Sequence, residues 1–72
     1  GVKMSKKRQG LIDLRLKKKL NQEDAAKKIG ISRSYLSELE SGDKDPSLKT
    51  IKKFIDFYGD GVKDIFFNNN VA

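Results

Sequence analysis

The chain has 72 residues, 16 Lys and Arg against 10 Asp and Glu for a formal charge of +6, and neither Cys nor His. This length predicts one domain with a thin core, and the missing residue types argue against disulfides, a zinc site and His-dependent enzyme chemistry. Its short apolar runs argue against a membrane span or signal peptide, whereas the net positive charge suits a polyanionic partner.

The positive charge is concentrated in the N-terminal half. Residues 1–36 hold eleven Lys or Arg and three acids, whereas residues 37–72 hold five and seven. Residues 1–8, GVKMSKKR, show no apolar periodicity and are predicted to form a basic tail. Such a tail is either a solvated end or an arm that reaches DNA.

The first predicted helix begins near residue 6 or 9 and ends at residue 19. Its spacing turns Leu11 and Leu14 toward the core, and Leu20 follows on the same side. The three lysines 17–19 fall in its last turn, where the negative end of the helix dipole favours cations.

Residues 21–42 contain two short amphipathic patterns joined by a tight turn. The spacing predicts helices over 22–29 and 33–41. Asn21 and Ser32 can cap them, and Gly30 can take the positive φ that ends the first helix. The predicted inner residues are Ala25, Ala26, Ile29, Ile31, Tyr35, Leu36 and Leu39. Two helices joined in this way form a helix-turn-helix, whose second helix lies in the DNA major groove.

The C-terminal part predicts a loop and two more helices. Pro46 disfavours a helical Asp45, and Ser47 then caps a fourth helix that ends at Gly59. Its predicted inner residues are Leu48, Ile51, Phe54, Ile55 and Tyr58, and its predicted solvent-facing residues are Lys49, Lys52, Lys53 and Asp56. A short helix over 62–67 completes a domain of residues 9–67, and residues 68–72 form a polar tail.

A spaced set of residues between Leu11 and Phe66 matches a known pattern. The set is Leu14, Arg15, Leu20, Asn21, Gln22, Glu23, Ala26, Ile29, Gly30, Ile31, Ser32, Leu36, Leu39, Glu40, Ser41, Gly42, Pro46, Ser47 and Leu48. It resembles the Cro and cI repressor type of helix-turn-helix, also called the xenobiotic-response-element family. The departures are Ala25 in place of a large aliphatic residue, Asp60 in place of a small apolar one, and apolar Ile12 and Leu16 in place of polar ones.

The resemblance implies an all-α, compact five-helix lambda-repressor-like domain with the helix-turn-helix at helices 2 and 3. It implies a sequence-specific transcriptional regulator, a repressor, that reads double-stranded DNA with its third helix. No catalytic activity, cofactor or metal is expected. The expected location is the cytoplasm, in association with bacterial or phage DNA. The alternative is an antitoxin-like protein-binding module whose DNA binding is secondary.

Four residues on the outer side of the third helix are candidates for base contacts: Arg33, Ser34, Ser37 and Glu38. The Arg33 guanidinium matches the O6 and N7 acceptors of guanine, although a phosphate contact is the alternative. Glu38 could accept from cytosine N4 or could simply be solvated, since a carboxylate also repels phosphates. The two serines are short and carry a weak signal.

Five further residues are candidates for phosphate contacts: Gln22, Tyr35, Ser41, Gly42 and Lys44. Gln22 lies at a helix N-terminus, where free backbone N–H groups attract anions. Tyr35 can place its ring on the core edge and its hydroxyl near the duplex. Ser41, Gly42 and Lys44 lie in or beside the loop after the third helix and could contact phosphate through a hydroxyl, a backbone N–H and an ammonium group. The alternative for that loop is a solvated turn.

Two structural roles are also predicted. The resemblance implies an ion pair between Arg15 and Glu40, with two separate surface charges as the alternative. A homodimer on a palindromic operator is expected to use the last helix, because that helix offers more apolar surface than it can bury against the domain's own core. The alternative is a monomer in solution that pairs only on its operator. The predicted interface residues are Val62, Ile65, Phe66 and Phe67, with Ile12 and Leu16 as a second possible contact surface.

Overall fold

Five α-helices form the domain in the computed structural model, which describes residues 7–67. They are α1 (Gln9–Lys17), α2 (Gln22–Ile29), α3 (Arg33–Ser41), α4 (Leu48–Tyr58) and α5 (Val62–Phe67). No strand occurs within these described residues. The prediction of an all-α, five-helix fold is therefore confirmed. Residues 1–6 and 68–72, which make up most of the two predicted tails, lie outside the described residues.

Side-chain caps begin three of the helices at the predicted residues. The Asn21 side chain accepts from the backbone N–H of Asp24 at 2.7 Å, and Ser32 Oγ accepts from the Tyr35 N–H at 3.0 Å. Ser47 Oγ does the same for the Thr50 N–H at 3.1 Å. Each cap satisfies a backbone N–H that has no partner inside its own helix, so these starts are set locally by the sequence.

The first helix ends two residues earlier than its apolar pattern predicts. Lys19 has a φ of 61°, and its N–H donates to the Leu16 carbonyl at 2.9 Å. The Leu20 N–H donates to the Arg15 carbonyl at 3.2 Å. This is the hydrogen-bond pattern that usually ends a helix at a glycine. Lys19 takes that position here, and the turn brings Leu20 back onto the core.

The core lies where the inner faces of all five helices meet. Its buried apolar residues are Leu11, Ala25, Ala26, Ile29, Leu36, Leu39, Ile51, Phe54, Val62 and Phe66. Phe54 is fully buried, and its ring makes an edge contact with the Phe66 ring at a centroid distance of 5.4 Å. The amphipathic patterns of α2, α3 and α4 thus predicted most of the core.

Leu48 is an exception, because it is 81% exposed although its spacing predicted an inner position. It is the first residue of α4. A helical side chain leans over the turn that precedes it, and the first residue has no preceding turn to cover. Thr50 is buried instead, with its hydroxyl 3.0 Å from Ser47 Oγ and 3.3 Å from the Tyr35 hydroxyl.

The α5 helix is buried more completely than the dimer prediction assumed. Val62 is 1% exposed and Phe66 is 7% exposed, so both belong to the chain's own core. Ile65 is partly buried and packs so closely on α1 that a Cβ at Gly10 would lie 2.9 Å from Ile65 Cδ1. Val62 and Phe66 are therefore corrected from interface residues to core residues. Phe67, at 59% exposure, offers most of the apolar surface of this helix, with a smaller part from the partly buried Ile65.

The predicted N-terminal tail also needs correction at its last residue. Arg8 is only 7% exposed, and its backbone N–H donates to the Glu40 carbonyl at 2.8 Å. A charged residue in a basic run looks solvated from the sequence, because its partners lie more than thirty residues away in the chain. The folded domain therefore includes Arg8.

Candidate nucleic-acid interface

The α3 helix has one buried side and one open side. Leu36, Leu39 and Glu40 are buried. Arg33 and Ser34 are exposed near the N-terminus of the helix, and the half-buried Ser37 and Glu38 continue the same side one turn later. The structure therefore places together the four residues predicted to contact bases. Within the described residues, no hydrogen bond or ion pair engages the Arg33 guanidinium.

The loop after α3 brings Lys44 back beside the open side of the helix. Lys44 Nζ lies 3.5 Å from Glu38 Oε1, and both side chains are substantially exposed. Glu38 is therefore neutralised by the residue that was predicted to contact phosphate. This pairing lets a carboxylate lie on a surface that otherwise suits an anion.

Ser41 and Gly42 complete the predicted contacts in this region. Ser41 is exposed, and its hydroxyl donates to the Glu38 carbonyl at 3.1 Å. The Gly42 N–H is used internally, since it donates to the same carbonyl at 3.1 Å while Gly42 takes a φ of 87° to end α3. The prediction that Gly42 offers a free N–H to phosphate does not fit this geometry.

Gln22 and Tyr35 each have a partner inside the protein. Gln22 Nε2 donates to Glu40 Oε1 at 2.9 Å, and the Tyr35 hydroxyl lies 3.3 Å from Thr50 Oγ1. A glutamine amide still has a second N–H and its oxygen to offer. The phosphate contacts of both residues stay predictions, and each residue also joins two helices.

A buried ion pair holds the two-helix unit against α1. Arg15 and Glu40, the predicted pair, form a bidentate contact with Nε to Oε2 at 2.8 Å and Nη2 to Oε1 at 3.1 Å. Their side chains are 12% and 3% exposed. Arg15 Nη1 also donates to the Leu20 carbonyl at 3.1 Å. The pair therefore joins α1, the turn that follows it and α3.

A lysine of α4 supports the turn between α2 and α3. Lys53 Nζ donates to the Gly30 carbonyl at 3.1 Å, although the sequence placed Lys53 among the solvent-facing residues. Gly30 has a φ of 97° and ends α2. A local sequence pattern cannot predict this contact, because it joins residues that are 23 positions apart.

Comparison with known proteins agrees with this geometry. The sequence profile of a family described as helix-turn-helix matches residues 11–59, which is more than half of the chain. The chain belongs to this helix-turn-helix family. The matched region contains most of α1 and all of α2, α3 and α4, with the ion pair and the open side of α3, and it ends before α5. The resemblance predicted from the spaced motif is thereby confirmed.

Two relatives show how far the likeness extends. An uncharacterized HTH-type transcriptional regulator of Methanocaldococcus jannaschii is 49% identical over 47 residues, which are 65% of this chain and 71% of that protein. The cryptic phage CTXphi transcriptional repressor RstR of Vibrio cholerae is 36% identical over 53 residues. Those residues are 74% of this chain and 48% of RstR, so the chain spans about half the length of that relative. No solved structure matches the chain.

Two other kinds of feature are absent from residues 7–67. No group of three or more Asp or Glu among residues 7–67 is arranged to hold a metal ion. No helix in the same range is both long and apolar enough to cross a membrane.

The Tyr58 hydroxyl is buried, and it has no hydrogen-bond partner among the described residues. Burial, with a smaller contribution from the Glu40 carboxylate, raises the pKa of Tyr58 to about 12, and Arg15 opposes both effects. The neutral phenol is therefore the form that the folded protein accommodates.

We expect Glu40→Gln to reduce the free energy of unfolding by about 3 to 5 kcal/mol, because it leaves the Arg15 guanidinium buried without its counter-charge. Chemical denaturation at neutral pH measures this change. Glu38→Gln is the matched control, since it removes the same charge from the exposed pair with Lys44 and should cost less than about 1 kcal/mol. Equal effects of the two substitutions would contradict the structural role of the buried pair.

We expect Tyr58→Phe to weaken the loss of stability at alkaline pH. An unfolded tyrosine ionises near pH 10, whereas the folded pKa is about 12. The unfolded state therefore loses its proton first, and the stability that the raised pKa represents is present below pH 10 and is lost between about pH 10 and 12. Denaturation midpoints of both proteins at pH 8 and 11 measure the effect. Tyr35 and all lysines are common to both proteins, so a fall of the same size in each would contradict the assignment to Tyr58.

Proposed function

We propose that this protein is a sequence-specific, double-stranded DNA-binding transcriptional regulator that acts as a repressor and reads the major groove with α3. The observation that carries the proposal is the open side of α3, which presents Arg33 and Ser34 at the N-terminal end of a capped helix. In helix-turn-helix proteins this end of the second helix reaches the base edges. The repressor role draws support from the name of RstR.

Arg33 supplies the strongest candidate for base recognition. It is the first residue of α3, it is exposed, and its planar guanidinium can donate two parallel hydrogen bonds to guanine. Ser34 lies beside it and can contact a base edge or a phosphate at short range. Ser37 and Glu38 follow one turn further along the helix, so they would meet bases deeper in the groove or in the neighbouring step.

Phosphate contacts from both ends of the two-helix unit would orient it on the duplex. Gln22 lies at the N-terminus of α2, and Lys44 lies in the loop that follows α3. When Lys44 contacts a phosphate, its pairing with Glu38 is weakened, and Glu38 can then accept from a cytosine amino group.

Arg33→Ala should relax the preference at one base position by about 1 to 3 kcal/mol, whereas Lys44→Ala should weaken binding to all duplexes alike. Lys44→Ala should also reduce the slope of log K against log salt by about 0.9, the value for one lost phosphate contact. A binding selection on random duplexes, repeated with each variant at two salt concentrations, measures both effects.

The control for charge alone is Lys63→Ala, which removes an exposed lysine of α5. It should leave the base preference unchanged. If wild-type protein binds its selected duplex and a random duplex with equal affinity at moderate salt, sequence-specific recognition is excluded.

A two-fold symmetric homodimer on a palindromic operator is the proposed DNA-bound form. One recognition helix reads only a few base pairs, and two helices about 34 Å apart would meet half-sites one helical turn apart. Phe67, at 59% exposure, and the partly buried Ile65 beside it offer the apolar surface of α5. Leu16, at 56% exposure, offers a second apolar contact on α1 together with the partly buried Ile12.

Phe67→Asp should leave the fold intact, because this side chain is exposed, but it should shift the protein to monomer and weaken operator binding. Analytical ultracentrifugation at tens of micromolar and binding to the selected duplex measure the two effects. Leu48→Asp is the matched control, since Leu48 is even more exposed at 81% and lies on α4. Wild-type protein that sediments as a monomer, with a Phe67→Asp variant that binds the operator normally, would exclude this dimer.

A further inference from the structure

Arg8 occupies a place in the fold that its position in the sequence does not suggest. It precedes α1, yet it is 7% exposed. Its Nη1 donates to the Leu39 carbonyl at 2.7 Å and to the Lys44 carbonyl at 3.0 Å. Its Nη2 lies 2.8 Å from Asp45 Oδ1. One guanidinium therefore joins the end of α3 to both Lys44 and Asp45 in the loop that follows.

The same side chain also contacts α5. The centre of its guanidinium lies 5.4 Å from the centroid of the Phe66 ring, within the range of a cation–π contact. The backbone N–H of Arg8 donates to the Glu40 carbonyl, so its main chain is attached to the last turn of α3 as well. A cation at this end of a helix is also favoured by the helix dipole. These contacts fix the guanidinium in one place.

The loop that Arg8 contacts is held at its N-terminal part by Glu38 and at its C-terminal part by Arg8. The side chains of Asp43, Lys44 and Asp45 are exposed. Within this loop, the N–H groups of Asp43 and Lys44 donate to the Glu38 carbonyl at 2.9 and 3.3 Å, and the second of these is long. The hydrogen bonds to the Lys44 carbonyl and to the Asp45 carboxylate, at 3.0 and 2.8 Å, both come from Arg8. Arg8 therefore attaches the C-terminal part of the loop, at Lys44 and Asp45, to the end of α3.

We propose that Arg8 is a positioning residue that holds the loop after α3 in the arrangement in which Lys44 contacts phosphate. The inference rests on the proposed DNA-binding function and adds a residue that does not itself touch DNA. Because Arg8 restrains the loop in the free protein, less conformational freedom is lost when the duplex binds. A lysine cannot replace it, since an ammonium is a point charge and lacks the planar fork that reaches three acceptors.

Amide hydrogen exchange of the free protein provides the first test. In Arg8→Lys, the amides of Asp43 and Lys44 should exchange at least about tenfold faster relative to those of Gly30 and Leu36, which lie in the two-helix unit. A purely structural role would accelerate all four amides together. Asp45→Asn changes an exposed residue and should accelerate exchange of the loop amides to a smaller extent. If Arg8→Lys does not fold, this variant allows the same comparison of loop amides with those of Gly30 and Leu36.

DNA binding provides the second test, with Arg8→Lys chosen because it keeps the charge. The slope of log K against log salt should fall by about 0.9, as for one lost phosphate contact, and the double variant Arg8→Lys with Lys44→Ala should have the same slope as Lys44→Ala alone. The matched control Lys63→Arg should leave the slope unchanged. Asp45→Asn changes the net charge and therefore alters the salt slope by itself. If this variant has to replace Arg8→Lys, the test compares its exchange rates and asks whether its effect on binding is non-additive with that of Lys44→Ala.

Unchanged loop exchange in Arg8→Lys, or additive slope changes in the double variant, would overturn the positioning role. Wild-type protein that prefers no duplex would instead overturn the proposed function. The hydrogen-exchange result in the free protein separates these two failures, because it requires no DNA.

Discussion

The carboxylate of Glu40 lies inside the domain, and the arrangement of three helices depends on how it is compensated. Its side chain is 3% exposed. A buried charge costs several kcal/mol unless its oxygens find partners with good geometry. Arg15 from α1 and Gln22 from α2 supply those partners at 2.8 to 3.1 Å. A shift of any of these helices would leave a buried charge with incomplete compensation, so the pair specifies their mutual orientation as well as holding them together.

This constraint acts on the inner side of α3 and leaves its outer side available. Ser32 caps the first turn of the helix, Gly42 ends it, and Arg8 binds its C-terminal carbonyls. The helix is thus held at both ends and along one side, while Arg33 and Ser34 remain open to solvent. A rigidly held element with free side chains is the arrangement that direct reading of base edges requires, because a small displacement of the helix would misplace every contact.

The chain carries more positive than negative charge, and some of its acidic side chains are also paired with nearby basic ones. Lys44 neutralises Glu38 beside the open side of α3, and Asp45 approaches Arg8 at the end of the same loop. The acids of this region therefore do not repel a polyanion as strongly as their number suggests.

The α5 helix lies beyond the region that matches the family, and its Phe67 is exposed beside a buried Phe66. One short helix in this way contributes both to the core and to the apolar surface.

Local chemistry in the sequence was sufficient to predict much of this protein. The capping residues Asn21, Ser32 and Ser47 and the helix-ending Gly30 act within a few positions, so the bounds of α2 and the starts of α3 and α4 followed directly from them. The spacing of apolar residues predicted the inner faces, and the spaced motif predicted the family. Tertiary structure alone decided the burial of Val62 and Phe66 and the burial of Arg8. These outcomes depend on contacts between distant parts of the chain, such as the 31 positions that separate Arg8 from Leu39, and a local pattern carries no information about such partners.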